Sequence, residues 1–139
     1  CNTVDVNGSL GISDAIMLAW RTGRAAIVAN DETEKNAQRD VLMAQIEKVA
    51  AATAIHYVNE SLAQTNDGDR LHALSELYAF VKALRYGNTS YRQVTTAEVD
   101  VMLDTDIGTN LWQTTTTGLN TLKDKLSTTY GFDAVKDIL

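Results

Sequence analysis

Apolar residues return every three or four positions along most of this chain, and short clusters of Gly, Asn, Asp and Thr interrupt them. That period belongs to helices that bury one face. Residues 1–12 carry two glycines and several turn formers and read as loop. Ser13 then suits a helix N-cap, with Asp14 in the positive first turn. The helix it starts passes through Ile16, Met17, Trp20 and Ile27 and ends near Asn30. Gly23 inside it costs about 1 kcal/mol against Ala and points to a close approach by another backbone.

A second and longest helix is predicted over residues 32–64, with Leu42, Ile46, Val49, Thr53, His56 and Ala63 marking its inner face. Ala50, Ala51, Ala52 and Ala54 are small enough for a neighbour to pack tightly there. Thr65-Asn66-Asp67-Gly68 is a turn by composition. A third helix follows over 69–86, with Leu74, Leu77, Tyr78, Val81 and Leu84 apolar, and Gly87 suits the left-handed residue after its end. The clearest local signal is Val94-Thr95-Thr96-Ala97-Glu98-Val99: Thr95 and Glu98 form a capping box, and Val94 and Val99 a hydrophobic staple. That short helix ends before Gly108. A last helix over 114–130 turns Leu119, Leu122 and Leu126 inward and stops at Gly131. Five helices, short connections and no strand pattern predict an all-α bundle in one domain spanning residues 1–139.

Composition strengthens this picture. A chain of 139 residues contains no proline, where average usage would place roughly 7. With 45% hydrophobic and 22% charged residues the chain is neither disordered nor membrane-like. Its 12 basic and 18 acidic residues give a charge of −6, which repels phosphate backbones and argues against nucleic acid as a partner. No apolar run approaches the roughly 20 residues of a membrane span.

The chemistry on offer is sparse. Both histidines recur in one context, His56-Tyr57-Val58-Asn59-Glu60 and His72-Ala73-Leu74-Ser75-Glu76, each placing His and Glu four apart on one helix face. A hairpin centred on the Thr65–Gly68 turn brings Glu60 level with His72 and His56 level with Glu76. Two imidazoles and two carboxylates gathered this way could hold a divalent metal, as bundle cores do. The plainer reading is a structural polar cluster in which each His bonds a Glu. Neither the His-Glu-x-x-His nor the Glu-x-x-His spacing occurs. Asp5-x-Asn7-x-Ser9 opens like a calcium loop, but Leu10 and Ile16 stand where an EF-hand needs Gly and an acid, so a solvated turn is expected. Ser75 cannot face His72 as a triad would require and reads as a helical serine. Arg21 and Arg24 beside Trp20 could grip an anion, although arginines on a helix flank are usually solvated or paired with Asp. Catalytic residues are therefore not assigned.

Several phrases taken in order carry a family likeness. They are Asn2-Thr3-Val4-Asp5, Ile16-Met17, Thr22-Gly23-Arg24-Ala25-Ala26-Ile27, Glu47-Lys48-Val49-Ala50-Ala51, Thr53-Ala54-Ile55-His56-Tyr57, His72-Ala73-Leu74-Ser75-Glu76, Leu84-Arg85-Tyr86 and Tyr130-Gly131-Phe132-Asp133. Together they resemble the C-terminal half of a family of bacterial cell-envelope lipoproteins, domain of unknown function 4856, similar in kind to the imelysin proteins. The resemblance implies a larger helical fold, export to the periplasm or outer membrane, and a link to iron or haem acquisition. It also implies an upstream helical portion, which favours a mid-chain start at Cys1 over a lipid-modified N-terminus. The imelysin pattern Gly-x-His-x-x-Glu has no match: Arg70 stands where Gly is required, and Glu76 follows His72 by four. The peptidase role and its metal residues are not carried over.

Three functions compete: a non-catalytic binding or accessory module of the envelope, a structural subunit completing a bundle with its upstream portion or a second chain, and a metal-binding protein or metal-dependent hydrolase using His56, Glu60, His72 and Glu76.

Overall fold

The computed structural model describes residues 5–139 and is mainly helical, with no strand among the described residues. Five helices follow one another: α1 (Ile12–Val28), α2 (Glu32–Ala63), α3 (Asp67–Ala83), α4 (Thr96–Val101) and α5 (Thr116–Tyr130). Cys1 and the phrase Asn2-Thr3-Val4 lie outside the described residues.

Helix α2 is the spine. Its 32 residues make a rod of about 48 Å at 1.5 Å per residue, long enough to serve two partners in succession. Its first half pairs with α1, and its second half packs on α3 and α5. The alanines explain the second contact, because Ala51, Ala52 and Ala54 are fully buried and let the neighbouring backbones come close. Around them Ile55, Val58, Leu74, Leu77, Val81, Leu119, Leu122 and Leu126 form the core, as the inward assignment on the last helix anticipated. Asp31 caps α2 through the amide of Glu34, and Asn66 caps α3 through that of Asp69. The capping box forms as expected, with Thr95 and Glu98 exchanging hydrogen bonds, and Val94 and Val99 are both buried beside it.

Five local expectations are corrected. Helix α1 starts at Ile12 and ends at Val28, and Ser13 is not its cap. The Asp5 carboxylate reaches forward instead, accepting from the amides of Ile12 at 3.1 Å and Ser13 at 2.9 Å. A left-handed backbone at Val6, Asn7, Gly8 and Gly11 folds it back. Asp5 is consequently buried rather than part of a solvated turn. Burial works against its charge, but the hydrogen bonds from Ser13 and Ile12 outweigh that, and its carboxyl lies below the ordinary value. The buried face of α2 is Glu47, Ala51, Ala54, Ile55, Val58 and Ser61. Ile46 is exposed, and Thr53 and His56 are half-buried, so the true stripe is rotated by about one position from the expected one. Helices α3 and α5 begin at Asp67 and Thr116, each displaced by two residues, because Asn66 and Thr115 supply the caps. Gly87 is not left-handed; its φ is −64° and the chain runs on extended. Gly131 does adopt the left-handed stop, at φ 76°.

The fourth helix does more than end before Gly108. It widens into a π-turn over Met102–Gly108 that buries Met102, Leu103, Asp106 and Ile107. Such wide turns are rare and put side chains where an α-helix would not. Here the turn carries Asp106 inward to meet Lys125 of α5 at 2.6 Å. After Gly131 the last residues fold back, with Phe132 and Leu139 buried and the carbonyls of Lys136 and Leu139 accepting from Asn59.

Candidate functional site

The four residues singled out by the His/Glu spacing are placed as follows. His56 and Glu60 share a face of α2, with Nε2 and Oε2 at 3.7 Å, beyond hydrogen-bond reach and within ion-pair range. The His56 ring stands edge-on to Tyr57, which stacks on Phe80 of α3. His72 is exposed on α3 and Glu76 is half-buried, and among the described ion pairs and side-chain hydrogen bonds none joins them to His56 or Glu60. Helix ends at Ala63 and Asp67 centre the hairpin on residue 65, so His56 comes level with buried Leu74. No group of three or more His, Cys, Asp or Glu gathers among the described residues in a way that could hold a metal ion. Ser75 gives its hydroxyl proton to the carbonyl of His72 at 2.7 Å, a helical serine as expected.

Two other features stand out. The first is a groove of about 650 Å³ between α1 and the first half of α2. Helix α1 buries only Ile12, Ala19 and Ala26, seven residues apart. A stripe that narrow leaves the rest of an apolar helix outside. Met17, Trp20 and Ile27 are therefore 52%, 60% and 60% exposed and line the groove with Leu42. Its rim is basic: Arg21, Arg24, Lys35 and Arg39 all border it. Lys35 and Arg39 pair with Glu32 and Asp40, whereas no ion pair among the described residues engages Arg21 or Arg24. Gly23 does admit a close neighbour, but the neighbour is the Gln38 side chain, 3.4 Å from where a Cβ would stand.

The second feature is Glu47. It lies on the buried stripe of α2 and is only 7% exposed. Its Oε1 accepts from the Gln93 amide at 2.8 Å and from the Tyr130 hydroxyl at 2.6 Å. Its Oε2 is buried and has no partner, alone among the described side-chain oxygens and nitrogens. An unsatisfied buried acceptor costs about 1–3 kcal/mol. Burial, and then donation to Glu47, push the Tyr130 phenol well above its ordinary range. Glu47 lines a cleft of about 220 Å³ with Met43, Ile46, Ala83, Tyr86, Gly87 and Tyr91 among its walls.

Sequence reasoning missed Glu47, although a signal existed. It falls four residues before Ala51, and eight and eleven before Ile55 and Val58, in register with the apolar stripe. A carboxylate in such a register calls for buried partners. Tyr130 and Gln93 were not legible as those partners, being 83 and 46 residues away.

The family described as a domain of unknown function (DUF4856) matches residues 2–133. No curated protein and no solved structure matches the chain.

Proposed function

This chain belongs to the DUF4856 family, and we propose that it acts as a non-catalytic binding module of the bacterial cell envelope, holding an acidic amphipathic helix of another polypeptide in the α1–α2 groove. The observation that carries the reading is the uncovered floor of Met17, Trp20 and Ile27. Fully burying side chains of this size is worth about 1.5–3 kcal/mol each, and an apolar strip rimmed by charge is the usual mark of a docking face. A helix laid in such a groove buries its i, i+3, i+4 and i+7 positions.

The rim selects the occupant. In a chain of charge −6, four cations border this one groove, so carboxylates flanking the apolar strip of a partner are steered in and held. A second copy is disfavoured, because two molecules of the same net charge repel. The envelope location and the service to iron or haem acquisition rest on the family resemblance of the sequence phrases alone. No helix among the described residues is long and apolar enough to cross a membrane.

Fluorescence anisotropy with a labelled helical peptide, leucines at i, i+3, i+4 and i+7 and glutamates elsewhere, tests this reading. The acidic peptide is expected to bind about tenfold or more tightly than its lysine counterpart. Trp20→Ser should weaken binding of both peptides and Arg24→Glu should remove the acidic peptide's advantage, while stability in urea stays within about 0.5 kcal/mol. Equal binding of both peptides, a dimer that occludes the groove, or cleavage of the peptide would each overturn it.

A further inference from the structure

We propose that the cleft between α2 and the segment following α3 binds a small organic cation with an aliphatic stem, whose ammonium group pairs with Oε2 of Glu47. The site is independent of the α1–α2 groove and shares no lining residue with it.

The argument begins with the division of labour within one carboxylate. Both inherited donors, Gln93 N–H and Tyr130 O–H, go to Oε1. A glutamine at this position would keep both bonds through its own oxygen and set two N–H donors where Oε2 stands. The carboxylate places an acceptor there instead, and none of the protein's described groups supplies it with a donor. Arg92 is the nearest candidate in the adjoining loop, yet its Nη1 donates to the carbonyl of Arg85 at 2.7 Å and the hydroxyl of Thr96 at 3.3 Å, and it forms no described ion pair with Glu47. Among the described residues Glu47 has no ion-pair partner. A cation that brings its own hydrogens fits the open side of Oε2.

Gly87 supplies the second observation. Its backbone at φ −64° and ψ 147° is open to any residue, so conformation does not call for glycine. Space is tight, however: a Cβ there would stand 3.0 Å from Oε2 and 3.4 Å from the Arg92 side chain. The chain passes over the oxygen without covering it with a side chain, and Glu47 and Gly87 line the cleft together.

The cleft's size and walls define the ligand class. A volume of about 220 Å³ is several times the roughly 30 Å³ share of one water, so it exceeds what a trapped water would need. Met43, Ile46, Ala50, Ala83 and Leu84 make an aliphatic wall, and Tyr86 and Tyr91 add aromatic rings, a residue type whose faces attract a cation. A divalent metal would require several further oxygen or nitrogen ligands, and no such cluster is present among the described residues. Because Oε2 is shielded at the floor, the ammonium reaches it by moving the Tyr86–Gly87 turn outward.

The test is calorimetric titration of the full chain with n-butylammonium chloride, with n-butanol as the neutral analogue of the same stem. A blocked lysine amide in parallel distinguishes a free amine from a lysine side chain as the source of the same chemistry. Saturable binding of either amine, about tenfold or more tighter than the alcohol, with amide shifts at Tyr86, Gly87 and Tyr91, is the expected result. Glu47→Gln should abolish the preference for amine over alcohol. Ala83→Phe, on the outer wall and clear of the Tyr130 hydrogen bond, should block both ligands with the fold intact, which guards against Glu47→Gln failing to fold. Equal affinity for amine and alcohol, no saturation by either amine, or unchanged binding in Ala83→Phe would overturn the proposal.

Discussion

The backbone carbonyl of Asp106 occupies the place where a side chain on Gly118 would begin. A Cβ there would stand 3.2 Å from the carbonyl carbon and would collide with its oxygen. Two effects of Gly118→Ala therefore oppose each other. Helix propensity favours Ala by about 1 kcal/mol. Overpacking against a fixed backbone costs about 1–3 kcal/mol, and the obstacle here is no flexible side chain that could swing away. The π-turn and α5 would have to part, taking the Asp106–Lys125 pair with them. Gly118→Ala is expected to lower stability by up to about 2 kcal/mol on that balance, read as a lower urea midpoint with unchanged m.

Gly23 carries the opposite sign. Its neighbour is the Gln38 Cβ at 3.4 Å, close to ordinary contact, and its backbone is plainly helical. Gly23→Ala should raise stability by about 0.5–1 kcal/mol, largely by restricting the unfolded chain. A loss in the same urea experiment would mean that α1 and α2 lie closer than described.

The hydrogen bond from Tyr130 to Glu47 predicts an alkaline limb of stability. Burial and the Glu47 bond raise the phenol above its ordinary value of 10.0 in the folded chain. The neutral form is thus favoured by folding, and this contribution is complete below pH 10.0 and fades as pH rises above it. Tyr130→Phe should cost about 1–3 kcal/mol at neutral pH, through the acceptor left short of a donor. It should also flatten the decline above pH 10.0. Thermal melts of both proteins between neutral and alkaline pH check the two halves separately.

Asp5 predicts the acid limb. Its carboxyl lies below the ordinary value of 3.8 when folded, so the charged form is favoured by folding. Its contribution is present above pH 3.8 and is lost as the pH falls through the lower folded value. Asp5→Asn should cost about 1–3 kcal/mol at neutral pH, because its amide nitrogen cannot accept from the second of the two helix amides. The gap to the unmodified chain should close in strong acid. A gap that persists there would assign Asp5 a packing role instead of an electrostatic one.

Much of the fold was legible in the chain because it depends on short-range chemistry. The Thr95–Glu98 box and the Gly131 stop each act within a few residues, and each appears where local rules put it. The inward leucines of α5 belong to the same class. The errors share a cause as well. Ser13 was the nearest cap in sequence, but the preceding turn let Asp5 reach the same amides from seven and eight residues away. Gly87 looked like a helix stop, whereas its backbone is extended and the Glu47 carboxylate of α2 lies 3.0 Å from where its Cβ would stand.

The site followed the same division. His56 and His72 drew attention because four-residue spacing can be read along one helix. Whether their faces meet depends on the hairpin's centre and on helix rotation, and both moved by about one residue. Glu47 drew none because its meaning comes from residues far away in the chain.

What the sequence alone determined is an acidic, all-helical chain whose helices start and stop largely on local signals, because capping and period are local energies. Which face of α2 is inside, which apolar side chains of α1 stay uncovered, and which carboxylate oxygen lacks a donor were settled only by tertiary packing. Those outcomes depend on the meeting of surfaces tens of residues apart, where a rotation of one residue exchanges buried for exposed.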